Sequence, residues 1–325
     1  MKFGIRLPHV GMYASVESIL QAARDAEDLG YDSVWVHDHI ALNPEWERKV
    51  FIMGRIEEVE AHTGDPDFYE SITTLSYVAG ATEHIKLGVS AIVLPLRNPL
   101  ILAKQCATLH EISGRRLILC TCIGYLEGAF RIFNVSFKRR ASIMEEYLQV
   151  LKEIFSPSPS SSFDGEYISF RDAQFHPKPK DLPIWICGQS SQALRRVASL
   201  GDGWHPFYLT PDEYGEKLNL LKEQLRRHGR KESDIILSHQ SFMCLKDTDA
   251  EARDISALTL KKNYGSIENG ERKHLIGSPS RIVERLEEYT NMGVNYYQLL
   301  FICRGVKEML EMMRLFSKEV MPSFR

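Results

Sequence analysis

The feature that most constrains the fold of this chain is a repeated alternation of short β-type runs with amphipathic helical segments. Strands that alternate with helices indicate βαβ units and a parallel sheet. Eight such units predict a (β/α)8 TIM barrel of the α/β class, whose site lies at the carboxyl ends of the strands. An open, doubly wound sheet is the alternative. The predicted strands are residues 3–7, 33–38, 85–94, 117–122, 183–187, 203–207, 235–245 and 296–303.

The first helical segment shows the pattern between strands. Val16, Ile19, Leu20 and Ala23 recur at the spacing of one helix face, and Gly30 follows as a stop signal. Similar patterns predict helices over residues 99–112, 249–263 and 279–292, and another that starts at Ser190.

Three connections are longer than a barrel requires, so we predict insertions after strands 2, 4 and 7. The first is a loop over 40–67, of the length that often forms a lid. The second holds a Ser/Pro-rich loop at 156–162 and two short β-like runs at 166–170 and 173–176. The third includes a polar stretch at 265–277. Because no repeat or linker divides the chain, we expect one domain over 1–325.

Composition excludes several functional classes. The chain has 40 Lys+Arg against 43 Asp+Glu, a net charge of −3, which argues against a nucleic-acid or anionic-membrane partner. No apolar run approaches the ~18 residues of a membrane span. The first residues alternate and lack a signal-peptide core, so we expect a cytoplasmic protein. Six cysteines in 325 residues are too sparse for a disulfide scaffold.

Two histidines flank Asp38 at the end of the second predicted strand. Side chains two apart on a strand share a face, so His37 and His39 face the same side. One interpretation is a metal pair, with His205 and His239 as further ligands. The other is one packed histidine and one that lines a pocket, where it serves acid–base chemistry or stabilises an anion.

The segment Cys187-Gly-Gln-Ser-Ser-Gln192 joins the fifth predicted strand to a helix. Backbone N–H groups and the helix dipole at such a start favour an anion such as a phosphate. Ser190 or Ser191 either adds a hydroxyl donor to that anion or caps the helix.

Further polar residues follow the fourth predicted strand. Cys120 and Cys122 share one face of it, and are interpreted either as a redox or metal pair or as buried small hydrophobes. Basic residues at 138–140 form a solvated or salt-bridged helix start. We expect the mouth of the barrel to include Tyr125, Glu127 and Arg131.

The motifs, taken in order, resemble the bacterial luciferase-like superfamily of flavin- or deazaflavin-dependent oxidoreductases and monooxygenases. The resemblance extends over nearly the whole chain and leans toward members that use the deazaflavin coenzyme F-420. It rests on Phe3-Gly-Ile-Arg-Leu-Pro8, on Ala26 through His39, on Ile85-Lys-Leu-Gly88, Arg97-Asn-Pro99, Leu109 through Arg115, Phe163 through Tyr167, Pro183-Ile-Trp-Ile186, Gly201-Asp-Gly-Trp204, Ile276-Gly-Ser-Pro279 and Glu319-Val-Met-Pro322.

The resemblance implies a barrel, commonly dimeric, with its cofactor at the carboxyl ends of the strands. Asp38 and His39 match a pair beside the reacting ring, and Ser90-Ala91 falls where the family often has a non-prolyl cis peptide. His39 and Tyr125 are the implied catalytic positions. The implied cofactor-binding positions are Asp38, Ser90, Ala91, Cys122, Ile123, Gly124, Cys187, Gly188, Gln189, Ser190 and Ser191.

The chain also departs from the family pattern. Where the family shows a Gly-x-Gly-x-Gly run, this chain has Cys120, Cys122 and Gly124, and glycine is the residue that permits close backbone approach. Tyr125 stands where deazaflavin sugar-phosphate dehydrogenases carry a catalytic glutamate, so that reaction is not implied. The exit groove for an acidic deazaflavin tail has candidates at 138–140 and at Arg195-Arg196.

We therefore expect an oxidoreductase that uses coenzyme F-420 or FMN for hydride transfer to, or oxygenation of, a small organic substrate. A homodimer and a separate flavin or deazaflavin reductase as partner are expected from the resemblance. Two alternatives remain open. One is a catalytically silent relative that acts as a binding protein, and the other is a metal-dependent hydrolase built on His37 and His39.

Overall fold

The computed structural model describes residues 1–11, 13–41 and 67–325. Its strands are β1 (Lys2–Arg6), β2 (Ser33–Val36), β3 (Lys86–Val93), β4 (Leu117–Cys122), β5 (Ser161–Asp164), β6 (Ser169–Ala173), β7 (Ile184–Cys187), β8 (Gly203–His205), β9 (Ile236–Leu245), β10 (Leu275–Gly277) and β11 (Tyr296–Phe301). Its α-helices are α1 (Val16–Asp28), α2 (Ser71–Ala79), α3 (Pro99–Ile112), α4 (Glu127–Ile132), α5 (Arg140–Phe155), α6 (Ser191–Leu200), α7 (Pro211–Arg227), α8 (Asp249–Tyr264), α9 (Ile267–Lys273), α10 (Pro279–Asn291) and α11 (Val306–Glu319).

Eight of these strands close into a parallel barrel. The order around it is β1, β2, β3, β4, β7, β8, β9 and β11, and β11 returns to pair with β1. Strand β9 pairs with β8 on one edge and with β11 on the other, which closes the ring. The (β/α)8 prediction is therefore confirmed, and the open-sheet alternative is wrong.

Aromatic side chains fill the lower interior of the barrel. Trp35 and Trp185 lie with ring centroids 5.5 Å apart, and Tyr296 meets Trp185 edge to face at 5.0 Å. Cys120 and Ile118 complete this buried cluster. The barrel interior is thus a packed core, as in TIM barrels generally, and leaves room for a ligand only toward the carboxyl ends of the strands.

Helix α1 shows how the outer layer is held. Ser15 and Ser18 form a reciprocal capping box at its start, and Gly30 follows its end at φ +79°. The buried face is Ile19, Ala22, Ala23 and Ala26, whereas Val16 is exposed. The buried face therefore shares Ile19 and Ala23 with the predicted stripe, but includes Ala22 and Ala26 in place of Val16.

The insertion after β4 contains an antiparallel hairpin, but not at the predicted residues. Strands β5 and β6 occupy 161–164 and 169–173, and the predicted run at 166–170 is largely the turn between them. The Glu146 carboxylate of α5 accepts hydrogen bonds from the backbone of Glu166, Tyr167 and Ile168 at 2.8, 2.8 and 2.9 Å. This contact from a distant helix fixes the turn, and local composition carries no sign of it.

The polar stretch within the insertion after β9 contains regular secondary structure. Residues 265–277 contain helix α9, capped by Ser266, and strand β10. Strand β10 pairs with the last residues of β9, beyond the point where β8 ends. The expected insertion after the seventh barrel strand is therefore present, and it carries a short helix and a strand.

Within the described residues, no helix has the length and apolar character needed to cross a bilayer. The loop predicted to form a lid lies mostly at 42–66, with Trp46, Phe51 and Met53, and these residues are outside the described part of the chain.

Candidate active site

A cavity of about 530 Å³ opens at the carboxyl ends of the barrel strands. Ligand cavities are typically ~300–1,000 Å³ and largely apolar. Of the predicted site residues, Gln189, Ser190 and Ser191 do not line it. Those that do are Asp38, His39, Ser90, Ala91, Cys122, Ile123, Gly124, Tyr125, Cys187 and Gly188.

Asp38 follows β2 and is buried in a closed set of hydrogen bonds. Its carboxylate pairs with the Arg97 guanidinium, and it accepts from Ser71 Oγ at 3.1 Å and from the Val93 backbone N–H at 3.0 Å. Arg97 also reaches Glu70 at 2.8 Å. Because protein donors already occupy both carboxylate oxygens, Asp38 holds the end of β2 against the end of β3.

The two histidines around Asp38 have different surroundings. His39 lines the cavity, with its ring 5.1 Å from Phe68 and 6.5 Å from Tyr125. Burial lowers the pKa of His39 to about 4, so its imidazole is neutral near pH 7. His37 instead directs Nε2 at the Arg6 guanidinium, a cation that disfavours a metal ion there. No cluster of three or more metal-ligating side chains occurs among the described residues.

Arg6 and His9, which the sequence analysis missed, both contact His37 at the end of β2. His9 Nδ1 donates to the Leu7 carbonyl at 3.0 Å, and Nε2 accepts from the His37 backbone N–H at 2.8 Å. Burial lowers the pKa of His9 to about 3 and that of Arg6 to about 10. The signal for Arg6 was its place at the carboxyl end of β1, the same rule that identified His37.

The bond between Ser90 and Ala91 in β3 is a non-prolyl cis peptide, as the resemblance implies. The β3–β4 register shifts between Val89 and Ile92, which marks a bulge at this point. Both Ser90 and Ala91 line the cavity, and Ala91 also packs against the aromatic cluster below. The bulge therefore separates the cavity from the barrel core.

A buried polar network holds Ser90 from below. His205 Nε2 lies 3.0 Å from Ser90 Oγ and 2.9 Å from Gln298 Oε1, and Gln240 Nε2 donates to Ser90 Oγ at 3.2 Å. Burial lowers the pKa of His205 to about 4, so this histidine is neutral. His205 is thus a packed partner of Ser90 and not a metal ligand, and Gln240 and Gln298 are site residues that the sequence analysis missed.

Strand β4 ends in the segment where Cys120 and Cys122 replace two glycines of the family pattern. Cys120 is fully buried below the cavity, and Cys122 Sγ lies 3.7 Å from the Ala91 carbonyl oxygen. Gly124 has φ +74°, and a Cβ there would lie 2.6 Å from Val93 Cγ1, so only glycine fits. Tyr125 stands 64% exposed at the rim, whereas Glu127 and Arg131 are not among the lining residues.

Strand β7 ends in the predicted anion-binding segment. Gly188 has φ +127°, and a Cβ there would lie 2.9 Å from the Cβ of Ala193 in α6. Ser190 is the helix cap, because its Oγ accepts from the Ala193 backbone N–H at 3.2 Å. Gln189 donates to the Phe207 carbonyl oxygen at 2.5 Å. The cavity thus meets the start of a ten-residue helix at Gly188.

Most of the basic side chains proposed for an exit groove already have acidic partners. Arg195 Nη2 bonds both oxygens of Glu145, at 2.9 and 2.8 Å, and Arg139 pairs with Glu166. Arg140 lines the cavity, with its guanidinium 3.8 Å from the centre of the Phe137 ring. Among these candidates in the described chain, Arg140 is the cation at the cavity.

Three aromatic residues that the sequence analysis did not single out complete the lining. Tyr208, at φ +56°, stacks on Phe242 with centroids 5.1 Å apart, and Phe207 meets Tyr208 edge to face at 5.4 Å. Flat rings facing an apolar cavity favour a flat, ring-containing ligand.

A closed (β/α)8 barrel with a cavity at the carboxyl ends of its strands defines a ligand-binding TIM barrel. The sequence profile of the family described as luciferase-like monooxygenase matches residues 1–266. The chain belongs to the luciferase-like monooxygenase family.

Relatives in this family are oxidoreductases and monooxygenases. The FMNH(2)-dependent dimethylsulfone monooxygenase of Pseudomonas putida is 25% identical over 301 residues, covering 81% of this chain and 80% of that protein. The F420-dependent glucose-6-phosphate dehydrogenase of Kineococcus radiotolerans is 25% identical over 333 residues, covering 93% and 91%. A solved F420-dependent secondary alcohol dehydrogenase in complex with an F420-acetone adduct has the same fold, with TM-score 0.82, 16% identity and coverage of 100% and 99%.

Proposed function

We propose that this chain is an oxidoreductase that binds a reduced flavin-type cofactor, FMN or coenzyme F-420, and acts on a small organic molecule. The observation that carries the proposal is the cavity between the Ser90–Ala91 bulge and the turn at Gly188. Relatives whose names specify FMNH(2) or F420 support the choice of cofactor class.

The residues present fit a ring that carries a phosphate. The turn at Gly188 brings backbone and the start of α6 to the cavity, and both favour an anion. We assign the phosphate to Gly188, Gln189, Ser190 and Ser191. We assign the ring to the surface formed by Asp38, Ser90, Ala91, Cys122, Ile123, Gly124 and Cys187. When bound, either cofactor supplies hydride transfer, and reduced FMN also supplies reactivity toward dioxygen.

His39 is the residue we assign to proton transfer. Its neutral imidazole carries one N–H donor and one acceptor nitrogen, so it can give or take a proton at a ring nitrogen beside the substrate. Tyr125, at the exposed rim, orients the substrate through its hydroxyl. Asp38 acts through the strand ends that it holds in place.

Titration of the purified chain with FMN, reduced FMN and coenzyme F-420, read by fluorescence or calorimetry, tests this proposal. We expect micromolar binding of at least one form, weakened at least tenfold by Gly188→Val. The matched control is Gly229→Val, since Gly229 also has positive φ but no atom within 4 Å of its Cβ position. Absence of binding by every form would overturn the proposal and favour a cofactor-free binding protein.

The compound that oxidises the bound reduced cofactor then distinguishes the two reaction types. If dioxygen consumes the bound reduced cofactor and one of its oxygen atoms appears in an organic product, the chain is an oxygenase. If a carbonyl compound such as acetone consumes it, the chain is a hydride transferase.

We further propose a cytoplasmic homodimer that receives its reduced cofactor from a separate reductase. Exposed apolar side chains on the neighbouring helices α2 and α3 support an association surface, since Tyr77, Ile101 and Ile112 are 55%, 61% and 71% exposed. Light scattering of the purified chain tests the dimer.

A further inference from the structure

Tyr208 lies in the cavity wall with its backbone in a rarely used conformation. It follows β8 by three residues and has φ +56°, in the left-handed region that bulky side chains seldom adopt. Its backbone N–H donates to the Gln240 carbonyl oxygen at 3.1 Å, and its own carbonyl oxygen accepts from Lys273 Nζ at 3.3 Å. Contacts from β9 and α9 thus hold Tyr208 in this conformation, and residues held in unfavourable conformations are concentrated at ligand sites.

Three aromatic side chains fix the ring of Tyr208. The ring stacks on Phe242 with centroids 5.1 Å apart and planes 13° from parallel. His274 and Phe207 meet it nearly at right angles, with centroid distances of 5.2 and 5.4 Å. The ring therefore has little freedom to turn, and the hydroxyl at its tip keeps one position.

The hydroxyl of Tyr208 has no hydrogen-bond partner within the described chain. It is not a fully buried atom, and the open space beside it is the cavity, which Tyr208 lines. Burial raises the pKa of Tyr208 to about 12, although the Arg6 guanidinium acts in the opposite direction. The phenol therefore keeps its proton near pH 7 and can donate it in a hydrogen bond to a ligand.

The charges on the cavity wall indicate which kind of ligand this hydroxyl binds. In the described part of the chain, the charged side chains that line the cavity are Arg6, Asp38 and Arg140. Asp38 is paired with Arg97, so these residues together carry an excess of positive charge. The effect of Arg6 on the pKa of Tyr208 shows that its guanidinium lies near the hydroxyl. A hydrogen-bond donor beside a cation suits an oxygen that carries negative charge, such as a carboxylate oxygen.

We propose that the Tyr208 hydroxyl binds a carboxylate oxygen of the substrate, and that the substrate is an organic acid with a flat ring. This inference rests on the proposed function, because it assigns a further part of the same cavity. Tyr208 is not among the residues to which the cofactor ring or phosphate is assigned, and Phe207 and Phe242 present flat apolar faces beside it. Tyr208 is therefore a specificity-determining residue that, with the charge of Arg6, selects acids over their neutral counterparts.

Benzoate and benzamide test the inference, because the two probes have nearly the same size and shape but only benzoate is charged. Each is titrated into the purified full-length chain without cofactor, and binding is read by calorimetry or by ligand-observed NMR. We expect benzoate to bind at least tenfold tighter than benzamide. Tyr208→Phe keeps the ring and removes only the hydroxyl, so it should weaken benzoate binding about tenfold, as expected for the loss of a hydrogen bond to a charged acceptor.

Tyr31→Phe is the matched control. The Tyr31 hydroxyl donates to the Met313 carbonyl oxygen at 2.9 Å, and Tyr31 does not line the cavity. We therefore expect Tyr31→Phe to lower the melting temperature and to leave the affinity for benzoate unchanged. Tyr208→Phe should have the reverse effects, because it removes no hydrogen bond within the described chain. A lower melting temperature of Tyr208→Phe with unchanged benzoate affinity would show a purely structural role and would contradict the inference.

The inference would also be overturned by undetectable binding of benzoate, or by equal affinity for benzoate and benzamide. A loss of FMN or coenzyme F-420 affinity in Tyr208→Phe would overturn it too, because the hydroxyl would then contact the cofactor. The benzoate titration needs no cofactor. Its failure is therefore distinguished from failure of the proposed function, which binding of FMN and coenzyme F-420 to the unsubstituted chain tests separately.

Discussion

The two sides of the cavity are held by different means. On the polar side, formed by the ends of β2 and β3, the Asp38 carboxylate, the Arg97 guanidinium and Ser71 form a closed set of buried hydrogen bonds. On the thiol side, formed by the ends of β4 and β7, Cys122, Cys187 and two glycines at positive φ line the cavity. The polar side is fixed by paired charges and the thiol side by close packing of small residues, so the two should respond differently to substitution.

The largest effect is expected from breaking the charge pair of the polar side. Arg97→Ala leaves Asp38 buried without its cation, and such losses cost about 3–5 kcal/mol in the free energy of unfolding. The matched control is Arg195→Ala, which removes a half-exposed partner of Glu145 near the thiol side and should cost ~0–1 kcal/mol. Urea unfolding measures both, and equal losses would contradict the contrast.

A second prediction concerns His205, which links β8 to the polar side through Ser90. Its folded-state pKa of about 4 is below the ordinary value, so below pH ~6.5 the unfolded chain takes up a proton that the folded chain does not. Stability falls as pH is lowered, and this histidine contributes about 1.4 kcal/mol per pH unit between pH ~6 and ~4.

The His205→Gln variant should therefore show a shallower pH dependence of unfolding, by about one proton, whatever its stability at pH 7. His84→Gln is the control, because the His84 side chain is 86% exposed. If the free energy of unfolding depends on pH in the same way for His205→Gln and for the unsubstituted chain, His205 is not a buried neutral histidine.

A third prediction restores the family glycine on the thiol side. Cys122→Gly removes a side chain from the cavity wall, so we expect FMN or coenzyme F-420 to bind about tenfold tighter, which is ~1.4 kcal/mol. The variant should also lose ~0.5–1 kcal/mol of stability, because glycine is unfavourable in a strand. Calorimetric titration measures the difference, with Cys106→Gly as the control because Cys106 is not among the residues that line the cavity. Unchanged affinity of Cys122→Gly would show that the thiol does not limit access.

The smallest effect is expected at the start of α6. Ser190→Ala removes the helix cap and should cost about 1 kcal/mol, while Ser191→Ala, one position into the helix, should cost almost nothing. If both variants weaken FMN binding although only the first lowers stability, both hydroxyls contact the phosphate. If neither does, Ser190 is only a cap.

The sequence predicted those features that depend on local pattern. Strand and helix periodicity gave the barrel, and the family motifs located Ser90–Ala91. The partners of Ser90 were not predictable in this way, because Gln240 lies 150 residues away and meets it only after the barrel closes. The turn held by Glu146 was missed because the carboxylate comes from helix α5, outside the hairpin, and nothing in the composition of the turn indicates that contact. His37 could be placed on the correct face, but its contact with Arg6 depends on the pairing of β1 with β2.

The tryptophans of the aromatic cluster beneath the cavity pack directly against glycines. A Cβ at Gly88 would lie 2.2 Å from Trp35 Cε3, and one at Gly203 would lie 2.6 Å from Trp185 Cδ1. These positions cannot change without displacing a tryptophan, whereas the lining residues above them rest on loops and strand ends. The two indoles thus separate the barrel core from the cavity. Residues that line the cavity can therefore change, and with them the reaction, while the core stays the same.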